Sequence, residues 1–423
     1  MCPKQVKSIW FSSFFFAAAV AGFIAADVFA ASAGSSGRIS SPSVCYELSV
    51  PSFFDSDGDR TGDLNGITQN LDYINDGNPF SDSDLGCDML CLNAVFPSPG
   101  SPDHDVTEYT AFDPDYGSMD DFPELVLQCH ERGIRLILNL PLSDASGHLQ
   151  LSQAEMEKII RFWLEKGVDG FCTDEAACQY LHDLQADFLS GVPFYAGRST
   201  ARNDDSDNGD SDREDESHVK LAQALNLLTP GLVWICCGEE LGMKGFGNGE
   251  HEHAPMYWSD DPDAPGMCTG LPETDEGKMK YPSWKEQSED PYSILSYVKQ
   301  AVKLRANYPA VANGQTQSID ALSGPQVCAM LQTAEGENPV LLIINTSDEV
   351  QKTDLSEGGS ATAGFTQLSG QLHVTQNAAF LTQSGTAGPA VSLPPFGIAL
   401  LTQSSAGRTT DSMCIVDRTT GIL

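Results

Sequence analysis

Asp55-Ser56-Asp57-Gly58-Asp59-Arg60-Thr61-Gly62-Asp63-Leu64-Asn65-Gly66 stands just after a short strand-like run, Cys45-Tyr46-Glu47-Leu48-Ser49-Val50. Asp occupies three alternate positions and recurs four residues on, so one tight loop gathers several carboxylates. Hard Ca²⁺ ions take such oxygen cages, and glycine permits sharp turns at Gly58 and Gly62. Asp55, Asp57, Asp59, Thr61 and Asp63 are therefore candidate Ca²⁺ ligands. The plainer alternative is a solvated acidic loop.

At 423 residues the chain can hold one large domain and a small one. Its apolar content of 41% is ordinary, but its formal charge of −36 is not. Such acidity argues against nucleic acid or an anionic membrane as partner and fits cation binding. Lys4 and Lys7 precede an apolar run over 9–26, and Ala31-Ser32-Ala33 offers a small-residue cleavage site. This predicts export to the periplasm or the extracellular space, with an N-terminal membrane anchor as the rival reading. Of 12 Cys, Cys2 leaves with the signal, and no spacing identifies pairs or a zinc site among the rest.

Residues 34–43 are Gly/Ser-rich and read as a linker. Beyond them, short apolar runs alternate with amphipathic helices. Strands are expected over 45–50, 89–95, 134–140, 170–173 and 232–236, and helices over 65–74, 119–132, 154–166, 218–228 and 292–307. That alternation implies an α/β fold, a parallel sheet with crossover helices of (β/α) barrel type. Residues 203–217 are too acidic to bury a core and read as a loop, a second Ca²⁺ site there being the lesser alternative. After Pro309, apolar runs at 327–331, 340–345 and 399–401 predict a small antiparallel β domain. The expected organisation is a signal at 1–33, a linker at 34–43, a barrel at 44–310, a β domain at 311–402 and a tail at 403–423.

Several segments together carry a family resemblance. They are the acidic loop, Asp113-Pro114-Asp115-Tyr116-Gly117-Ser118-Met119, Gly167-Val168-Asp169-Gly170-Phe171, Gly238-Glu239-Glu240-Leu241-Gly242-Met243, Ala254-Pro255-Met256-Tyr257-Trp258 and Pro394-Pro395-Phe396-Gly397. The chain resembles glycoside hydrolase family thirteen, the α-amylase superfamily, in its oligo-1,6-glucosidase and trehalose-synthase-like branch. The resemblance implies a TIM-type barrel and hydrolysis or transfer of α-glucosides by two carboxylates, one nucleophile and one general acid.

Carried over residue by residue, that pattern is degenerate. The nucleophile position falls on Asp174. The Arg that supports it falls on Cys172, and a thiol cannot make a bidentate contact with a carboxylate. The family's substrate-contacting His falls on Asp144, and its metal-binding Asn on Ser143. The stacking Tyr falls on His104, while Asp105 survives as a substrate contact. The third Asp is lost near Tyr195-Ala196-Gly197, where Arg198 and Arg202 continue the pattern. Only about twenty residues separate Asp174 from that match, whereas one barrel unit takes roughly 30. Units five and six, and with them the general acid, are expected to be missing. The domain inserted after the third strand is missing too. Glu239 is the substitute acid to consider.

Three readings follow. The first is a catalytically inactive pseudo-glycosidase that keeps the calcium loop and binds carbohydrate or serves an envelope assembly. The second is an active α-glucosidase or transglycosidase with a rebuilt site, Asp174 working with Glu239 or Asp105. The third is a scaffold like the heavy chains of amino-acid transporters, with a membrane-protein partner. Loss of groups that act as a unit favours the first, and so tilts against enzymatic activity.

Overall fold

The computed structural model describes residues 43–99, 106–143, 148–149, 151–184, 189, 191–196, 216–243, 254–269, 280–372, 374, 379–383 and 389–403. The expected signal, most of the linker, the tail and nearly all of the acidic loop lie outside the described residues. Glu216 and Ser217, at that loop's expected end, already open a helix, Glu216–Leu227.

Six strands form one parallel sheet: β1 (Val44–Ser49), β2 (Met89–Asn93), β3 (Arg135–Asn139), β4 (Gly170–Thr173), β5 (Phe194–Ala196) and β6 (Val233–Cys236). Their order is β5-β4-β3-β2-β1-β6, so the last strand closes on the first as in a (β/α) barrel. Among the described residues, two strands of an eight-stranded barrel have no counterpart. β5, which carries Tyr195, pairs directly with β4. The segment aligned by motif with a seventh strand thus stands in the fifth position.

The sheet is apolar on both faces, as parallel sheets must be. In β1, Val44, Tyr46 and Leu48 join the large core under the helices. The alternate residue Cys45 faces the barrel interior with Met89, Cys91, Ile137 and Cys172, a second cluster against which Tyr195 and Trp234 pack. The helix Gln153–Glu165 shows how the sequence encodes the outer layer. Ser152 and Glu155 close a capping box at its start, and Met156, Ile159, Ile160 and Trp163 form its buried stripe. Trp163 is fully buried, and its Nε1 donates to Tyr109 O at 2.7 Å. The helix expected over 65–74 is two pieces, Leu64–Gln69 and Leu71–Ile74, because Asn70 leaves helical geometry at φ −111°, ψ 14°.

β6 has an outer edge, away from β1. The N–H groups of Val233 and Cys237 donate to β1, so by alternation Trp234 and Cys236 turn their backbone outward. Both are covered from within the chain: Asn226 Nδ2 donates to Trp234 O at 3.0 Å, and Glu239 Oε2 accepts from Cys236 N at 3.1 Å.

The C-terminal part is antiparallel. β7 (Gln315–Ser318), β8 (Val327–Thr333), β9 (Val340–Asn345), β11 (Phe365–Leu372) and β14 (Ile398–Gln403) form one sheet, and β10 (Gln351–Asp354), β12 (Phe380–Gln383) and β13 (Pro389–Leu393) another. Leu341, Ile343, Val391 and Leu401 belong to its own core, while Leu342, Ile344 and Leu400 join the barrel core. The helix Ile294–Asn307 lies between the two parts. A Cβ at Gly370 would sit 2.3 Å from Leu304 Cδ2, so the glycine lets this leucine pack directly on the strand. Among the described residues, ten cysteines carry free thiols, and no helix is long and apolar enough to cross a membrane.

Candidate functional site

The acidic loop leaves β1 and ends at the helix Leu64–Gln69. Asp55 organises it: Oδ1 accepts from Asp57 N at 3.1 Å and Gly58 N at 2.7 Å, and Oδ2 accepts from Arg60 N at 2.9 Å. Asp63 caps the helix, taking Gly66 N at 2.8 Å and both the N–H and hydroxyl of Ser56 at 2.8 Å. Carboxylate oxygens of Asp55, Asp57 and Asp63 lie within 4.8 Å of one another. Asp59 is not part of this cluster; its Oδ1 accepts from Thr61 N at 2.7 Å. A set of three anionic oxygen ligands suits a hard divalent cation such as Ca²⁺, and these three residues fit one.

The glycines of the loop have different tasks. Gly58 turns the chain at φ +93°. Gly62 serves close approach instead, since a Cβ there would sit 2.3 Å from Val50 O; at Gly66 it would sit 2.0 Å from Phe54 O.

The two candidate catalytic carboxylates lie far apart in the sheet. Asp174 follows β4 and is exposed. Its Oδ1 accepts from Ala177 N at 2.9 Å and its backbone O from Cys178 N at 2.9 Å, so it caps the helix Glu175–Leu184. Cys172, at the position of the supporting Arg, is 1% exposed in the barrel interior. Glu239 follows β6, in a 3₁₀ turn Glu239–Leu241 flanked by Gly238 and Gly242 in left-handed conformation. It is buried and bonded to the β6 edge. β4 and β6 are four strand steps apart, about 19 Å measured along the sheet. Ser143 is buried, with no hydrogen-bond partner for Oγ among the described residues. His104, Asp105, Asp144, Arg198 and Arg202 lie outside the described residues.

Two carboxylates were passed over in the sequence. Glu47 alternates with Tyr46 and Leu48 and so shares the interior face with Cys45; Oε1 accepts from Asn93 Nδ2 at 2.8 Å, and Cys236 Sγ lies 3.5 Å from Oε2. The period-two pattern of β1 was the available signal. Glu240 is fully buried. It accepts from Tyr46 Oη at 2.7 Å, Tyr73 Oη at 2.6 Å and Gly238 N at 2.9 Å. Burial pushes its carboxyl up to about 7, against the opposing pull of the two phenol hydrogen bonds. No local pattern distinguishes it from its neighbour Glu239, because its partners come from 167 and 194 residues away.

Comparison with known proteins agrees with this architecture. The sequence profile of the alpha amylase catalytic domain matches residues 49–152. Alpha-amylase 3 of Dictyoglomus thermophilum is 24% identical over 437 residues, spanning 73% of this chain and 85% of that protein. Probable oligo-1,6-glucosidase 2 of Bacillus subtilis is 39% identical over 117 residues, and trehalose-6-phosphate hydrolase of Escherichia coli 42% over 104, covering 27% and 24% of this chain. Those two alignments span only 19% and 17% of the relatives' own lengths. Among solved structures, Eubacterium rectale Amy13B matches with TM-score 0.70 and 25% identity, over 86% of this chain and 96% of that one. The alpha-amylase from H. orenii shares the fold with TM-score 0.68 and 20% identity, over 86% of this chain and 99% of that one.

Proposed function

We propose that this chain, which resembles the α-amylase family in sequence over residues 49–152 and in fold, is a carbohydrate-active member of it that binds α-glucosides without cleaving them. One observation carries the proposal: among the described residues, the candidate carboxylates Asp174 and Glu239 do not stand together as a pair. Retaining hydrolysis needs two carboxyl groups about 5–5.5 Å apart on either side of the scissile bond. Asp174 and Glu239 stand four strands apart, one capping a helix and the other capping the β6 edge. Each has a local structural task that accounts for it. Cys172 supplies no positive charge to hold a nucleophile ionised.

Calcium completes the proposal. Asp55, Asp57 and Asp63 would hold the ion, which would neutralise their mutual repulsion and tie the first loop down. This role is structural and is independent of bond cleavage.

The test is turnover of maltose, isomaltose and aryl α-glucosides by folded protein in Ca²⁺, with Asp174→Asn in parallel. Absence of turnover by a protein that still binds an α-glucan supports the proposal. Turnover that Asp174→Asn abolishes refutes it and restores Asp174 as a nucleophile.

A further inference from the structure

The inner face of the parallel sheet is lined with sulfur. Cys45 on β1, Met89 and Cys91 on β2 and Cys172 on β4 form one buried cluster with Ile137 of β3. Strand geometry puts them together. Met89 and Cys91 are two residues apart and so share a face, and the registers Cys45↔Met89, Cys91↔Ile137 and Asn139↔Cys172 carry that face across four strands. Tyr195 of β5 and Trp234 of β6, both partly buried, pack against the cluster and wall it off.

Two of the thiols meet. Cys91 and Cys172 share a side-chain hydrogen bond, although β3 stands between their strands. Two strand steps put their backbones roughly 10 Å apart along the sheet, further than the about 7 Å that a disulfide spans. The sulfurs therefore face each other as thiols. Burial holds the Cys91 thiol well above its usual pKa, so it keeps its proton until something displaces it. Cys45 is the third thiol of the cluster. Among the described residues, however, only Asp55, Asp57 and Asp63 gather three ligating atoms within 4.8 Å, so the interior offers a pair of thiols and not a trio.

We infer that the Cys91–Cys172 pair is a binding site for a soft monovalent cation, Cu⁺, with Met89 as the neighbouring thioether. The donors select that ion. Thiolate and thioether sulfur favour Cu⁺, whereas Ca²⁺ and Mg²⁺ take oxygen. Structural Zn²⁺ takes four ligands, and even three are not gathered here. Binding is an exchange without electron transfer. One S–H bond breaks, one Cu–S bond forms, the proton leaves to solvent, and the second sulfur donates a lone pair as a neutral thiol. Cu⁺ enters as H⁺ leaves, so the complex carries no net charge, as an apolar interior requires. The ion would enter at the C-terminal end of the interior, where Cys236 and Glu47 are only partly buried and Sγ lies 3.5 Å from Oε2. Cys172 stands where the family pattern has an Arg, so the substitution that removes support from Asp174 also supplies the second thiol.

The experiment is anaerobic titration of the reduced full chain with Cu⁺ in competition with the chelator bicinchoninate. Wild type should retain one Cu⁺ that Cys91→Ser and Cys172→Ser each hold about 100-fold more weakly or not at all. Cys328→Ser, in the β domain, should leave it unchanged. Should a serine variant fail to fold, Cys91→Ala and Cys172→Ala remove the sulfur without burying a hydroxyl and should show the same loss. Equal retention by wild type and the pair variants overturns the site, since other thiols then hold the ion. Failure of folded wild type to keep Cu⁺ against the chelator overturns it as well. Zn²⁺ that wild type retains and the pair variants lose overturns the choice of a monovalent ion.

Discussion

Replacing Glu240 by Gln should make the protein less stable than wild type in acid and more stable at neutral pH. The carboxyl is fully buried and accepts from Tyr46, Tyr73 and Gly238 N. Burial raises its folded pKa to about 7 from an ordinary 4.5. A raised carboxyl pKa means that stability is fully present below pH 4.5 and is lost as pH rises through 7, where folding must hold an ionised group out of water. The loss amounts to about 3 kcal/mol once that range is crossed. Gln at 240 carries no charge at either end of the range. It gives up about one hydrogen bond, on the order of 1 kcal/mol, because its NH₂ meets a backbone donor. The variant should therefore sit about 1 kcal/mol below wild type at pH 4.5 and about 2 kcal/mol above it at pH 8. Urea denaturation of both proteins in chelator at the two pH values measures this swing, and other carboxylates cancel in the difference. An offset of the same size and sign at both pH values would refute the reasoning, since Glu240 would then keep one protonation state throughout.

Asp57→Ala should lower the melting temperature in Ca²⁺ but not in chelator, removing the ligand-linked stabilisation of about 2.7 kcal/mol available at a hundredfold excess over Kd. Equal losses in both buffers would exclude a metal as the cause. Gly62→Ala should cost several kcal/mol, because its Cβ would lie 2.3 Å from Val50 O, whereas Gly58→Ala meets open space and pays only the left-handed backbone, about 1–2 kcal/mol. Melting temperatures that rank the two the other way would contradict the close-approach role. Asp174→Ala should cost about 1 kcal/mol through loss of a helix cap, and Asp174→Asn only tenths. Calorimetry showing equal losses for the two would argue that charge, not capping, is what Asp174 contributes.

How far the sequence revealed this molecule follows from the reach of each signal. The strands at 170–173 and 340–345 were legible to the residue, because apolar runs of that length bounded by polar residues leave little choice. The helix Gln153–Glu165 was legible to within a residue from its apolar stripe, expected over 154–166. The cluster of Asp55, Asp57 and Asp63 was visible as alternate carboxylates, although spacing alone enrolled Asp59, whose oxygen goes to Thr61 N. The place of β5 was not legible. Motif alignment ties Tyr195 to a seventh strand, but a strand can pair only with the neighbour its crossover reaches, and after so short a connection that neighbour is β4. Glu240 was hidden for a different reason. Its character comes from Tyr46 and Tyr73, and contacts over such separations leave no periodicity. The aromatic cluster of Phe54, Tyr73, Trp258 and Trp284 was hidden likewise, since its members come from four separate stretches.

The capped edge of β6 bears on how a barrel can survive losing strands. An open parallel sheet offers unpaired amides to any extended chain, its own lost strands or a neighbour's alike. Here Asn226 and Glu239 satisfy the carbonyl of Trp234 and the amide of Cys236. A strand added in trans must first displace both, exposing a buried carboxylate as it does so. The β6 edge therefore has two of its outward groups already taken, and a hybrid protein adding a strand there would have to begin by freeing them.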